Sequence, residues 1–398
     1  RDIIYLMAEL LVAPEKAKIT AEGCTKTAYD MAMGTSQMLG CLTERLQAIS
    51  ADTTLTCFGQ EFNPETYAIA KADMLIKGGN ASGMKYGDTL SDDAFSGYEF
   101  DYIISNPPFG IDWKREKTQV ESEAKRGFDG RFGPGLPAIS DGQMLFLLNG
   151  VKKLKSGSGR MAIIQNGSSL FTGDAGSGAS EIRRYVIEGD LVEAIIQMPT
   201  DLFYNTGIST YIWVLTKGKT MQRSGRVQLI DASKCYVKRR KNIGNKRVDL
   251  DDACIRLILR AYEGFADETC EESGLIVESK VFDNRFFGFT KVTVETAQTD
   301  EHGKPILKKG KKQPVKGASD TEIIPLSEDI DAYMKKNVLP YNPLAYIDPA
   351  KDKIGYEVPF TRLFYQFVPP TPSDEIFAEI KELEAEEAVL MKELFGNA

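Results

Sequence analysis

The spacing of apolar and polar positions changes period repeatedly along the chain, and each change marks an element. Residues 2–11 place apolar side chains at helical intervals, which predicts a helix. Residues 27–30 then read as a strand, 37–49 as a helix and 54–61 as a strand. A helix from Pro64 to about Lys77 follows, with proline suited to its first turn. Two short strands are expected at 84–86 and 100–104. The second is β-branched and aromatic, and Pro107 and Pro108 stop it, because proline lacks the N–H and fixes φ. Helices at 143–154 and 180–187 then alternate with strands at 160–165, 192–198 and 210–215. A short strand at 226–230 ends at Asp231. The alternation up to residue 215 predicts an α/β fold built on a seven-stranded mixed sheet.

Four of these strands end in polar residues: Asp30, Glu61, Asp88 and Asn106. Ligands bind at the carboxyl ends of strands in such sheets, so the four are candidates for one site. An acidic group closing the second strand is how dinucleotide-type folds hold ribose hydroxyls. The turn Met31-Ala32-Met33-Gly34-Thr35-Ser36 leads into a helix, where glycine lets backbone approach a ligand. The stretch Ser105-Asn106-Pro107-Pro108-Phe109-Gly110 offers an amide oxygen, a proline carbonyl and an aromatic ring. Those groups suit transfer to an exocyclic amine such as N6 of adenine, whose lone pair is delocalised into the ring. Two acceptors on its N–H atoms counter that delocalisation, and Phe109 can stack on an extruded base.

Other stretches lack such order. Residues 111–140 are polar and glycine-rich, which suggests a lid or mobile loop. Lys114, Arg115, Lys117, Lys125, Arg126 and Arg131 there interleave with Trp113, Phe128 and Phe132, so a displaced nucleotide is one possible contact and a plain surface insertion another. Basic residues gather again at Lys234, Lys238, Arg239, Arg240, Lys241, Lys246 and Arg247. Such a run is more often a solvated face than a DNA or partner contact. Lys308, Lys309, Lys311 and Lys312 look like a hairpin tip or flexible loop. Near the end, Ile376, Ile380, Leu383, Leu390 and Leu394 form a heptad seam, with Glu387 at the skipped position. One helix cannot bury such a seam alone, and a partner helix is the favoured cover. The expected domains are a catalytic domain over 1–232, an irregular extension over 233–372 and a docking helix over 373–398.

Composition narrows the chemistry. A formal net charge of −8 over 398 residues means that the surface as a whole does not attract nucleic acid. The single histidine, His302, lies in a polar stretch, which argues against His-based nucleophilic catalysis or a metal centre. Six scattered cysteines without a C-x-x-C fit reduced thiols and a cytoplasmic protein. Neither a membrane-spanning run nor a signal peptide is present in the sequence. The chain opens on Arg1 rather than methionine, which suggests a fragment.

Several motifs together resemble one family. They are Phe58-Gly59-Gln60-Glu61-Phe62-Asn63-Pro64-Glu65-Thr66-Tyr67, Gly87-Asp88-Thr89-Leu90, and the Asn106 stretch. Further on come Asp201-Leu202-Phe203-Tyr204-Asn205-Thr206-Gly207-Ile208 and Lys353-Ile354-Gly355-Tyr356-Glu357-Val358-Pro359-Phe360-Thr361-Arg362. The chain resembles the modification (M) subunits of Type I restriction-modification systems, the gamma-class adenine-N6 DNA methyltransferases. That resemblance implies a Rossmann-like fold and S-adenosyl-L-methionine as methyl donor. It places Asp30, Gly34, Thr35 and Ser36 by the methionine part, Glu61 on the ribose and Asp88 near the cofactor adenine. Asn106, Pro107, Pro108 and Phe109 would hold the target adenine. It also implies DNA, a specificity subunit, a restriction subunit and a second M subunit as partners, and an N-terminal helical domain outside this numbering. Family members carry Asp-Pro-x-x-Gly-Thr-Gly where this chain has Asp30-Met31-Ala32-Met33-Gly34-Thr35-Ser36, so Ser36 stands at a glycine position. Two rivals share the fold: a protein glutamine methyltransferase, and a non-catalytic assembly subunit.

Overall fold

The computed structural model describes residues 1–396 except 366 and 368. It divides into two units, Arg1–Phe360 and Thr361–Ala398. The first opens with α1 (Asp2–Val12) and α2 (Lys16–Glu22). Four parallel strands follow: β1 (Thr25–Asp30), β2 (Thr54–Glu61), β3 (Met84–Tyr86) and β4 (Tyr102–Ser105). Helices α3 (Gln37–Ile49) and α4 (Pro64–Ile76) connect the first three strands. Asn63 caps α4 by accepting from the Glu65 and Thr66 N–H groups, and Pro64 fills the first turn. Beyond β4 lie α5 (Lys117–Ala124), α6 (Gln143–Lys153), β5 (Arg160–Asn166), α7 (Ser168–Phe171), α8 (Gly178–Glu188), β6 (Val192–Gln197), β7 (Thr210–Thr216) and β8 (Arg226–Asp231).

The expected seven strands form the run β6-β7-β5-β4-β1-β2-β3, in which β7 is antiparallel to both neighbours. All four residues of β4 are buried, as a central strand covered on both faces requires. β5 runs parallel to β4. The direction of the chain connections reverses between β1 and β4, so the sheet's switch point lies where Asp30 and Asn106 emerge.

The sheet does not stop at residue 232. The stretch expected to be irregular carries a hairpin of β9 (Val237–Ile243) and β10 (Lys246–Asp249), then α9 (Asp252–Gly264). Next come β11 (Glu268–Glu272) and β12 (Leu275–Asp283), which join β8 and widen the sheet to ten strands, in the order β11-β12-β8-β6-β7-β5-β4-β1-β2-β3. α9 buries Cys254, Leu257, Ile258, Ala261 and Tyr262, a helical period that the neighbouring charge runs obscure.

A second sheet is built on β13 (Gly288–Ala297). Beyond it, β14 (Leu307–Lys308) and β15 (Lys311–Lys312) pair as a small hairpin, one of the two forms expected of that lysine stretch. β16 (Pro314–Pro325), β17 (Ala345–Ile347) and β18 (Lys353–Tyr356) all pair with β13, and α10 (Ile330–Tyr333) packs beside them. In β16 only Ile324 is buried, so its sequence lacks the two-residue alternation that marks a half-buried strand. α11 spans Phe360–Phe364.

In the second unit α12 (Ser373–Phe395) follows Pro372, close to the expected start. The seam residues Ile376, Ile380, Leu383, Leu390 and Leu394 lie on it and are exposed. Among the described residues no helix is long and apolar enough to cross a membrane, and no cluster of residues could hold a metal ion. All six cysteines are free thiols.

Candidate active site

The carboxyl ends of β1 to β4 surround a cavity of about 570 Å³. Met31 and Ala32 line it after β1, Glu61 and Phe62 after β2, Gly87 to Leu90 after β3, and Asn106 and Pro108 after β4. Three of the four polar strand ends therefore share one space. Asn106 is exposed, and its amide makes no hydrogen bond to a described residue.

The wall is held by short bonds. Each Glu61 carboxylate oxygen accepts a backbone N–H: Oε2 from Gly34 at 2.9 Å and Oε1 from Asn63 at 2.8 Å. A carboxylate has about four lone-pair sites, so Glu61 is fixed yet keeps capacity for a ligand. Asp88 Oδ1 accepts from the Leu90 and Ser91 N–H groups at 2.7 and 3.0 Å. The Thr89 hydroxyl donates to the Met31 carbonyl at 2.6 Å, tying the loops after β1 and β3 together.

Asp30 is not on the cavity wall. It is fully buried beneath the turn, where Oδ1 accepts from Ser105 Oγ at 2.7 Å and from Ala32 N–H at 3.1 Å. Its Oδ2 has no hydrogen-bond partner. Burial pushes its carboxyl up to about 7; Glu61 adds to this, against the two hydrogen bonds. Gly34 has φ +53° and Ser36 φ +61°, both left-handed. Ser36 is buried, and its hydroxyl also lacks a partner. A side chain thus occupies a backbone position that glycine adopts freely. Met31 and Ala32 line the cavity, and Gly34, Thr35 and Ser36 of the same turn do not. Pro107 is buried, Pro108 is exposed on the wall, and Phe109 is half-buried against the main core.

The segment 111–140, expected to be a lid or mobile loop, is folded, with α5 inside it. Trp113 and Phe132 are buried, and Trp113 Nε1–H donates to the Ala138 carbonyl at 3.0 Å. Arg131 is buried too, donating to the Thr89 and Leu90 carbonyls at 2.6 and 3.0 Å and to Glu123. It bolts the Asp88 loop in place and does not face a nucleotide. Only part of the basic and aromatic set reaches the cavity: Arg115 and Trp113 line it, with Ile111, Asp112 and Glu116. Burial and the neighbouring Asp88 carboxylate push the Glu116 carboxyl up. Ile111, Glu116 and Phe146 were not legible as site residues, because their stretches carry no strand-end signal.

A cavity of this size falls in the range of roughly 300–1,000 Å³ typical of cofactor sites. Its rim carboxylates suit a diol and an amine, and the orphaned Asp30 Oδ2 suits a cation. These features fit a nucleoside cofactor bearing an ammonium group. The fold and its acidic strand ends define a Rossmann-like methyltransferase.

Comparison with known proteins narrows the class. The chain matches the N-6 DNA Methylase family over residues 1–302 and belongs to it. It is 27% identical over 349 residues to the Type I restriction enzyme HindI methylase subunit of Haemophilus influenzae, covering 85% of this chain and 71% of that protein. It is 28% identical over 218 residues to the Type I restriction enzyme MjaIX methylase subunit of Methanocaldococcus jannaschii, covering 54% of this chain and 38% of that protein. The crystal structure of the type I restriction-modification system methyltransferase subunit from Streptococcus thermophilus is similar, with a TM-score of 0.57 and 26% identity. That match covers 71% of this chain and 54% of the other. The chain thus spans well under half of the Methanocaldococcus protein and about half of the solved subunit.

Proposed function

We propose that this chain carries the catalytic part of an adenine-specific DNA methyltransferase, transferring a methyl group to N6 of adenine within a Type I restriction-modification complex. The observation that carries the reading is Asn106: an unpaired amide on the wall of a cavity shared with Glu61 and Asp88. Family membership and the named relatives support DNA as the substrate. A specificity subunit, a restriction subunit and a second M subunit are the corresponding partners, in the cytoplasm.

Bound S-adenosyl-L-methionine supplies an electrophilic methyl group on its sulfonium. Glu61 would hold the ribose hydroxyls with the lone pairs left after Gly34 and Asn63. Asp88 would lie by the cofactor's adenine. Asp30, buried beneath the turn and off the cavity wall, would attract the ammonium through its charge and not by direct contact, with Gly34, Thr35 and Ser36 shaping that end. The Asn106 amide oxygen and the Pro107 carbonyl each accept one N–H of the target amine, so its lone pair becomes available for attack. Pro108 and the exposed part of Phe109 meet the faces of the extruded base.

The test is methyl incorporation from labelled donor by the full-length protein with its specificity partner. Label recovered as N6-methyladenine in DNA supports the reading. Label in protein glutamine moves the acceptor, and donor binding without transfer makes the chain an assembly subunit.

A further inference from the structure

The sequence stretch 234–247 holds seven basic residues, and the structure sorts them into two sets. Lys246 is buried and spent on anchoring. Its Nζ donates to Asp2 Oδ2 at 2.8 Å and to the Leu202 carbonyl at 3.1 Å, and lies 3.2 Å from Asp249. Arg239 pairs with the same Asp249. The other five, Lys234, Lys238, Arg240, Lys241 and Arg247, are exposed, and none has an acidic partner among the described residues. Five uncompensated cations on or beside one hairpin oppose a chain whose net charge is −8.

The hairpin's place in the fold matters more than its charge. It is stitched to the loop that follows β6: Asn245 N–H donates to the Tyr204 carbonyl at 2.9 Å, and Arg247 N–H to the Asp201 carbonyl at 2.8 Å. Gly244, with φ +57°, lies so close that a Cβ there would sit 2.4 Å from the Tyr204 oxygen. β6 runs parallel to β8, and both it and β5 are antiparallel to β7, so the loop after β6 leaves the same edge of the sheet as Asn106. Three strand spacings separate β6 from β4, which is roughly 14 Å. Phe109 and Phe203, one from each loop, pack against the same core. Tyr204 is exposed beside the hairpin.

We propose that the β9–β10 hairpin is a phosphate clamp that holds the backbone of duplex DNA beside the pocket that receives the flipped base. The inference rests on the DNA methyltransferase reading above. A base leaving its duplex keeps its backbone tethered, so phosphates must run past the pocket mouth within one helix radius or so. An acidic protein repels DNA at long range and needs a local basic ridge to orient it. This ridge has free cations, a rigid anchor and a place on the correct edge. It reads no sequence, because its contacts go to phosphate.

The experiment uses the full-length protein with its specificity partner and a duplex DNA probe. Binding is measured against salt for the wild type and for the combined variant Lys238→Ala, Arg240→Ala, Lys241→Ala, Arg247→Ala. Each lost phosphate contact lowers the slope of log K against log salt by about 0.9. The expected result is a slope reduced by about 2–4 and affinity lowered at least tenfold, equally for target and unrelated duplexes. Donor affinity and transfer rate at saturating DNA stay unchanged. A single Arg240→Glu reversal, which leaves the rest of the hairpin intact, must weaken binding in the same sense. An unchanged slope in an enzyme that still methylates DNA overturns the clamp alone. So does loss of the specificity partner at unchanged slope, which would make the hairpin a seat for an acidic protein surface. A wild-type enzyme that methylates no DNA overturns the function, and the clamp with it.

Discussion

Two polar clusters lie at opposite edges of the same sheet, and they differ in how completely they are satisfied. At the amino edge, Glu193 Oε2 accepts from Arg160 at 2.6 Å and from the Tyr262 hydroxyl at 2.7 Å. Arg160 also donates to the Leu10 and Leu11 carbonyls, and Arg223 to Gln228 and the Tyr262 carbonyl. Burial alone would push the Glu193 carboxyl up, but the two guanidiniums and Tyr262 outweigh it and hold it below its ordinary value. This cluster joins α1, β5, β6 and α9, and each charged group in it has an opposite charge beside it. At the carboxyl edge, Asp30 Oδ2 and Ser36 Oγ are buried without partners, and Asn106 is free. Other buried atoms lack partners: Tyr102 Oη and Trp213 Nε1 belong to neutral groups, and Asp352 Oδ1 is a second such carboxylate oxygen, on a residue that does not line the cavity. A fully buried carboxylate left half-satisfied is costly unless something completes it. Paired charge ties elements together at the amino edge, and the unpaired carboxylate lies at the edge proposed to bind the ligand.

The contrast is broken most severely at the amino edge. Glu193→Ala strands two buried guanidiniums and should cost about 3–5 kcal/mol in urea unfolding. Asn106→Ala should stay within about 0.5 kcal/mol of wild type in the same assay. An equal loss for both would erase the distinction.

Asp30 sharpens the comparison through pH. Its folded pKa, about 7, lies above the ordinary carboxylate value of 3.8, so the folded state takes up a proton that the unfolded state releases in that window. Its contribution to the stability of the ligand-free protein therefore grows as pH falls from about 8 toward 4, by roughly 2–4 kcal/mol in total. Binding a cationic donor runs the other way and weakens up to about tenfold per unit below pH 7, since the ionised form is required. Asp30→Asn should flatten both profiles, measured by unfolding and by calorimetry at stepped pH. Unchanged profiles would show that Asp30 does not titrate there.

Arg131→Ala frees the Thr89–Leu90 wall and should weaken donor binding about tenfold, near 1.4 kcal/mol. Calorimetry that finds unchanged affinity would show the wall holds without it. The smallest effect belongs to Ser36→Gly, which relieves a left-handed serine that makes no cap bond to α3 and should stabilise the protein by about 0.5–1 kcal/mol. A destabilised variant would mean that the Ser36 hydroxyl is needed where it lies.

How much of this could be read beforehand depended on period. β1 to β4 each end at or just before a polar residue, so Glu61, Asp88 and Asn106 could be placed at one edge from the chain alone. Asp30 was legible as a strand end, but its position under the wall was not, because that depends on the φ values of Gly34 and Ser36. Glu116 and Phe146 were invisible because tertiary contacts alone bring them to the cavity. The sheet's continuation through β11 and β12 was hidden by runs such as Glu268-Thr269-Cys270-Glu271-Glu272, an exposed edge strand in which only Cys270 is buried. Arg131 looked like part of a nucleotide-facing set, since its charge was apparent and its burial was not.

The most direct test of the central claim is the transfer rate to N6 of adenine by Asn106→Ala, with donor affinity measured on the same preparation. The account predicts a rate about 100–1,000-fold lower at unchanged donor affinity and unchanged fold. A rate within twofold of wild type would contradict it.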